Sequence, residues 1–310
     1  MMMTPALEVK ELTKHFGKVK ALQGLTFSLP QGTRCAFVGA NGAGKTTTFS
    51  LVGGFLRPTS GEIFVAGQQV ASLQGATGQV GILPQDMRFF EERTLKSQLL
   101  LFAKLTGFVG KEAESEVTRV LESVSLQEKR DEPVRALSRG MRVRLGIAQA
   151  LIGSPPLILL DEPMAGLDPV LRAQIRELLC SLGENTTVVI SSHELGELQS
   201  FCNFICVIDS GRALFVGEME DLLHGKSSLT YTLGSVPEDL SELEKTSPSS
   251  SFLRKDNYTL VVQFTESTPS QMNKKVLPWL LENQISIEEV TYQKSLEEAY
   301  LSILDEKRLR

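Results

Sequence analysis

The residues Gly39-Ala40-Asn41-Gly42-Ala43-Gly44-Lys45-Thr46 constrain this chain more than any other feature. They follow an apolar run at residues 33–38 and precede residues 47–52, which can start a helix. A G-x-x-x-x-G-K-[ST] spacing between strand and helix is a cradle for a polyphosphate. Glycines let the backbone curl so that successive N–H groups face one anion, and the helix N-terminus adds its partial positive charge. In such a cradle Lys45 reaches the β- and γ-phosphates and the Thr46 hydroxyl holds Mg²⁺. The plain alternative is a glycine-rich turn with a solvated lysine, which needs no flanking strand and helix in register.

A second feature fits the first. Leu157-Ile158-Leu159-Leu160-Asp161-Glu162 is four apolar residues followed by two carboxylates. A buried strand ending in Asp places a ligand for Mg²⁺ beside a phosphate cradle, here Asp161, through water because Mg²⁺ keeps much of its hydration. Glu162 lies one residue on, faces differently, and is free to activate or orient water. Standing alone, Asp-Glu reads as a solvated strand end or a helix cap.

The first 217 residues alternate short β-rich runs with helical patterns, the habit of an α/β layer fold. Unbroken apolar runs at residues 33–38, 62–65, 80–83, 157–160, 187–190 and 204–208 read as strands buried on both faces. Val117, Val120, Leu121 and Val124 recur at helical spacing, as do Leu171, Ile175, Leu178 and Leu182 after an Asp168-Pro169 start. Residues 94–153 read as a helical insertion with no strand. After Gly217 the texture changes. Residues 246–251 are a polar loop between alternating strands at 229–233 and 258–264, and 269–283 is a helix that Pro278 should bend or split. Residues 285–292 alternate again, and Ser295-Leu296-Glu297-Glu298 is a capping box opening a last helix. The order strand, short helix, strand, strand, helix, strand predicts a small ferredoxin-like α+β domain over residues 218–310, beside a nucleotide-binding domain over 1–217.

Charge divides at the same place. Residues 1–217 carry 22 basic and 21 acidic residues, while 218–310 carry 10 and 16, so the acidic excess behind the net charge of -5 lies in the last third. That balance excludes a general nucleic-acid coat. No apolar run reaches the ~20 residues needed to cross a bilayer. The best, residues 145–160, is interrupted by Gly153 and Pro155-Pro156, and the first residues lack a basic-then-apolar leader pattern, which predicts a soluble protein that stays where it is made. Four scattered cysteines fit a reducing compartment, and Cys202 and Cys206 read as packed thiols with no histidine nearby to complete a metal site.

With these residues in hand, the chain resembles a known family, the ATP-binding subunits of ABC transporters, which have the fold of P-loop NTPases. The resemblance covers residues 7–217 and rests on seven motifs in the family's order. Phe16 matches the aromatic that stacks on adenine. The cradle matches the Walker A motif, which implies ATP contacts from Gly39, Asn41, Gly42, Ala43, Gly44, Lys45, Thr46 and Thr47. Asp161 and Glu162 match Walker B. Gln85 in Leu83-Pro84-Gln85-Asp86 matches the glutamine loop, which in the family senses Mg²⁺ and the transport subunit. Leu137-Ser138-Arg139-Gly140-Met141 matches the signature usually written LSGGQ, Ala165-Gly166-Leu167-Asp168 the D-loop, and His193 in Ser191-Ser192-His193-Glu194 the switch histidine. The resemblance implies Glu162, His193, Gln85 and Lys45 as catalytic residues and Thr46, Gln85 and Asp161 around Mg²⁺.

Each of these residues has an ordinary reading by itself: Phe16 as core, Gln85 as a strand-end turn, Ser138 and Asp168 as helix caps, His193 as a hydrogen-bonded spacer. Two departures from the family stand out. Arg139 and Met141 occupy positions where Gly and Gln are commonest, while Ser138 and Gly140, which meet a γ-phosphate across the dimer, are intact; Phe16 replaces the usual Tyr.

In the family, the signature of one subunit completes the site of another, so the resemblance implies a homodimer, or a heterodimer with a related ATPase, closed around two ATPs. Ordering two subunits costs roughly 4–15 kcal/mol or more, which triphosphate charges held between the cradle and an opposing helix N-terminus can offset. It further implies an integral membrane permease in a separate chain, a place on the cytoplasmic side of the membrane, and no nucleic-acid partner. Ser295-Leu296-Glu297-Glu298-Ala299-Tyr300-Leu301 and the LSxGM signature resemble ATPase subunits of ABC-2-type exporters. Two other classes stay open: a soluble ABC ATPase acting on nucleic acid or ribosomes, disfavoured by a single cassette and an acidic tail, and a non-enzymatic nucleotide sensor, disfavoured by intact Glu162 and His193. Co-purification with a membrane protein or with ribosomes separates the first from the leading reading, and a phosphate-release assay the second.

Overall fold

The computed structural model describes residues 4–183, 186–192, 195–223, 227–237, 239–264, 267–293 and 296–308, and the chain divides into two compact units at Gly217/Glu218. The first unit opens with strands β1 (Leu7–Phe16), β2 (Val19–Leu29) and β3 (Arg34–Val38), then helix α1 (Lys45–Val52). Next come β4 (Ser60–Val65), β5 (Gln68–Gln69), the short α2 (Leu73–Ala76) and β6 (Val80–Leu83). Helices α3 (Leu95–Leu105), α4 (Gly110–Ser123) and α5 (Arg139–Ala150) follow, then β7 (Leu157–Asp161), α6 (Pro169–Ser181), β8 (Thr187–Ser191), α7 (Leu195–Gln199), β9 (Phe204–Asp209) and β10 (Arg212–Glu218).

Two sheets form. A six-stranded sheet has the order β10-β9-β3-β8-β7-β6, with β9, β3, β8, β7 and β6 paired in parallel. All five residues of β7 and of β8 are buried, which explains their unbroken apolar sequence: helices or a second layer cover both faces. The other sheet is antiparallel, order β2-β1-β4-β5. Residues 62–65 therefore do not belong to a strand buried on both faces. They lie in β4, whose burial alternates along its length, because an antiparallel layer covers only one of its faces. One core joins the two sheets, with Phe27, Phe37 and Phe49 in a ring-to-ring series at 5.7 and 5.5 Å.

Residues 94–153 form a helical segment; among the described residues its only β feature is an isolated bridge between Thr94 and Pro133. Caps set its helix starts: Thr94 accepts from the Ser97 N–H at 3.1 Å, and Ser138 from the Met141 N–H at 3.3 Å. Arg142 of α5 grips Glu91 with two hydrogen bonds of 2.7 and 2.6 Å, and these bonds hold the Glu91 carboxyl below its ordinary range. Helix α6 begins where Asp168 accepts from the Leu171 N–H at 2.9 Å, with Pro169 in the first turn. Its buried residues are Ile175 and Leu179; Leu178 is half-buried and Leu182 stands past the last turn, a face rotated from the predicted stripe. Cys202 and Cys206 are buried, and burial pushes both thiols up.

In the second unit, α8 (Met219–Leu223) precedes β11 (Ser227–Leu233), α9 (Ser241–Thr246), β12 (Ser250–Arg254), β13 (Thr259–Phe264), α10 (Pro269–Glu282), β14 (Ile287–Gln293) and α11 (Leu296–Arg308). The sheet is antiparallel in the order β12-β13-β11-β14. Leu229, Leu260 and Val262 of the sheet pack with Met272, Val276 and Leu280 of α10, and buried Tyr231 donates its hydroxyl to Asn273 at 2.6 Å. The expected polar loop at 246–251 is shorter, since α9 claims its first residue and β12 its last two. Pro278 does not split α10, which runs unbroken from Pro269 to Glu282. Pro278 removes the N–H that would bond the Lys274 carbonyl, and both residues are exposed, so the lost bond falls on the solvent side of the helix. Ser295 of the expected capping box lies outside the described residues.

Candidate nucleotide site

The cradle is built by close backbone packing. Gly44 caps α1 with φ +110°, and a Cβ there would stand 2.6 Å from Leu22 Cδ2; one on Gly39 would stand 2.5 Å from the Ile208 carbonyl oxygen. Behind the loop, the Gly211 N–H donates to the Ala43 carbonyl at 3.0 Å. Because Gly44 has no side chain to cap α1, the first-turn N–H groups of that helix stay available to an anion.

Lys45 is only 8% exposed, and its ammonium donates to the Gly39 carbonyl at 2.7 Å, which holds it over the mouth of the loop. Across from it, β7 and β8 run side by side and pair Asp161 with Ser191. The Ser191 hydroxyl donates to Asp161 Oδ1 at 2.5 Å, and the Thr46 hydroxyl donates to Asp161 Oδ2 at 2.8 Å. Ser191 Oγ also accepts the Glu162 N–H at 2.9 Å, so one hydroxyl fixes both members of the acidic pair. Glu162 itself has φ +53°, a left-handed backbone that a non-glycine residue adopts at a cost of about 1–3 kcal/mol. That geometry turns its side chain off the strand line taken by Asp161. The Thr46 hydroxyl beside a buried carboxylate is an oxygen-only donor pair at a cleft mouth, which suits a hard cation such as Mg²⁺.

These residues share one cleft of about 430 Å³, lined by Lys45, Thr46, Thr47, Asp161 and Glu162, with Asn41, Gly42 and Gly44 of the loop and with Phe16 and Gln85. Phe16 is 47% exposed at the end of β1, its ring free to take a flat partner on one face while the Lys14 ammonium sits 5.1 Å from its centroid. Gly39 and Ala43 are buried behind the loop and do not line the cleft. Val19, Lys20 and Ala21 do line it and escaped the sequence reading, as did Ser191 in its role as the anchor of Asp161. The first three follow Phe16 in the β1–β2 hairpin, which the sequence pattern did not mark.

Other expected site residues lie elsewhere. Ser138 and Gly140 line a separate groove with Met141, Arg144 and Leu171, at the start of α5, and are not brought to the cleft by this chain. Asp168 is the cap of α6. His193 lies outside the described residues.

Residues 22–165 match the family described as ABC transporter. The chain is 36% identical over 222 residues to the Nod factor export ATP-binding protein I of Ralstonia nicotianae, covering 71% of this chain and 69% of that one. It is 33% identical over 237 residues to the linearmycin resistance ATP-binding protein LnrL of Bacillus subtilis, covering 75% and 76%. Among solved structures, cbiO1 from Clostridium perfringens, part of the ABC transporter complex cbiONQ, superposes with a TM-score of 0.64 at 28% identity, over 71% of this chain and 90% of that one.

Proposed function

The chain belongs to the ABC transporter family of ATP-binding proteins, and from that premise we propose that it works as the ATPase subunit of an exporter, hydrolysing ATP at the cleft of Lys45, Asp161 and Glu162. The observation that carries the assignment is convergence: Phe16, Lys45, Thr46, Gln85, Asp161 and Glu162, spread over nearly 150 residues of sequence, line one cavity. ATP-driven transport is the activity of the family. Export is our reading of its relatives, which are named for export and for resistance.

The residues divide the work as follows. Backbone N–H groups of the cradle and the Lys45 ammonium bind the β- and γ-phosphates, and Phe16 stacks on the base. Thr46, Gln85 and Asp161 would hold Mg²⁺, which would neutralise phosphate charge when bound. Glu162 orients the attacking water and accepts its proton, while Ser191 fixes the Asp161 carboxylate and the backbone N–H of Glu162. A positioned base of this kind contributes about 10²–10⁴ in rate. For His193, outside the described residues, we keep the supporting role in hydrolysis that the match to the switch histidine implies. Hydrolysis then removes the group that both halves of a dimer grip, Lys45 from one side and Ser138 with Gly140 from the other, and the pair loosens.

A permease in a separate chain receives the motion. An apolar cleft of about 360 Å³ lined by Phe55, Leu73, Ile82, Phe102 and Leu105 supports this, with Phe55 and Leu105 61% and 68% exposed. No described helix is long and apolar enough to cross a membrane, so the place at the cytoplasmic face comes from that partner. Replacing Phe55 by Asp is expected to abolish co-purification with the permease while ATP binding persists; a complex that survives contradicts this docking face. The second unit we read as a ferredoxin-like accessory domain, from its β-α-β-β-α-β order.

The direct test is phosphate release by the full chain. Turnover of ATP in the presence of Mg²⁺, lost on adding EDTA and regained on returning Mg²⁺, is expected. A chain that binds ATP and never releases phosphate is a sensor instead.

A further inference from the structure

Arg139 is the one signature residue whose chemistry differs sharply from the glycine common there, and its surroundings say what it does. It opens α5, where a cation faces the positive end of the helix and is out of place. Its guanidinium does not reach a carboxylate among the described residues. Instead Nη2 donates to the Ala165 carbonyl at 2.8 Å. The next residue, Gly166, has φ +65°, and a Cβ on it would stand 2.4 Å from that nitrogen and 2.8 Å from Cζ, so the guanidinium lies flat on a backbone that only glycine leaves bare. One residue further along α5, a Cβ on Gly140 would stand 2.8 Å from Leu171 of α6. The start of α5 is thus seated on the segment joining β7 to α6.

That segment is the one that holds Glu162. The Ala165 N–H donates to the Glu162 carbonyl at 3.2 Å, and the Leu167 N–H to the Met164 carbonyl at 3.2 Å, while buried Met164 and Leu167 pin the turn from below. The left-handed backbone of Glu162 is therefore locked from two sides: its N–H by Ser191, its carbonyl by a turn whose far end is tied to Arg139.

We propose that Arg139 is a positioning residue for Glu162, fixing the turn at residues 162–165 through the Ala165 carbonyl and thereby tying the signature helix to the catalytic carboxylate within one chain. The inference rests on the reading of Glu162 as the group that activates water. It also gives the arginine that replaces glycine in the signature a place: the side chain is spent on its own chain's backbone, at the Ala165 carbonyl.

The test compares full-length wild type, Arg139→Ala, Arg139→Lys and Glu162→Gln in ATP turnover, equilibrium ATP binding and thermal melting. Arg139→Ala is expected to lower kcat about three- to tenfold, the range one hydrogen bond is worth. ATP affinity and melting temperature should stay at their wild-type values, and Arg139→Lys, which keeps a cationic donor, should recover most of the rate. A kcat unchanged in Arg139→Ala, a lysine variant as slow as the alanine one, or a loss matched by weaker ATP binding or a lower melting temperature overturns the proposal. Glu162→Gln keeps the two readings apart: if it turns over at the wild-type rate, the assignment of Glu162 fails; if it is inactive while Arg139→Ala is fully active, only the positioning role fails.

Discussion

A Glu162→Gln chain is expected to bind ATP as the wild type does and to turn it over about 10²–10⁴-fold more slowly. The substitution keeps the size of the side chain and leaves untouched the N–H that Glu162 gives to Ser191, so the left-handed turn persists. What changes is the ability to take a proton from water. Asp161 cannot replace it, because both of its oxygens are already engaged by the Ser191 and Thr46 hydroxyls at 2.5 and 2.8 Å. Phosphate release measures the rate and calorimetric titration the binding. Wild-type turnover in the glutamine variant would remove Glu162 from the chemistry.

Lys45→Ala acts on the other half of the reaction. The ammonium is nearly buried and rests 2.7 Å from the Gly39 carbonyl, at the mouth through which a polyphosphate enters the loop. Hydrogen bonds to charged groups are worth about 1.5–3 kcal/mol each, and this ammonium meets two phosphates, so ATP affinity should fall by roughly 100-fold or more. The chain should remain folded, because Thr48 still bonds to the Gly44 carbonyl, and Gly211 to that of Ala43. Calorimetry on the variant, with circular dichroism for the fold, checks both halves. Undiminished affinity would move the nucleotide to another place on the molecule.

The two sheets of the first unit were unequally legible. Strands β3, β7 and β8 announce themselves because both faces are buried and no polar residue interrupts them. Strands β1 and β2 were missed as a pair: irregular register between Val9 and Leu12 and again between Lys14 and His15 breaks the alternation that marks a half-buried strand. A short run such as Ile63-Phe64-Val65 carries no mark of which sheet it joins, since its partners Leu7, Glu8 and Val9 lie far off in sequence. The same limit governs the site. Lys45, Thr46, Asp161 and Glu162 could be read because their motifs are local. Ser191 meets Asp161 only through strand pairing, and Val19, Lys20 and Ala21 reach the cleft only because the β1–β2 hairpin folds beside the cradle. Arg139 was visible as a departure, but its partner Ala165 is 26 residues away and is a backbone carbonyl, which no side-chain pattern reveals.

The claim on which the rest depends is that ATP joins two copies of this chain, each supplying Ser138 and Gly140 to the other's cleft. Sedimentation of the Glu162→Gln chain, in which bound ATP persists, measures it directly. With ATP and Mg²⁺ the account predicts a dimer, with ADP or without nucleotide a monomer, and a return to monomer when Ser138 is also replaced by a bulky residue such as Arg. A single monomeric species under all of these conditions, with ATP shown to be bound and the membrane partner supplied, would contradict it.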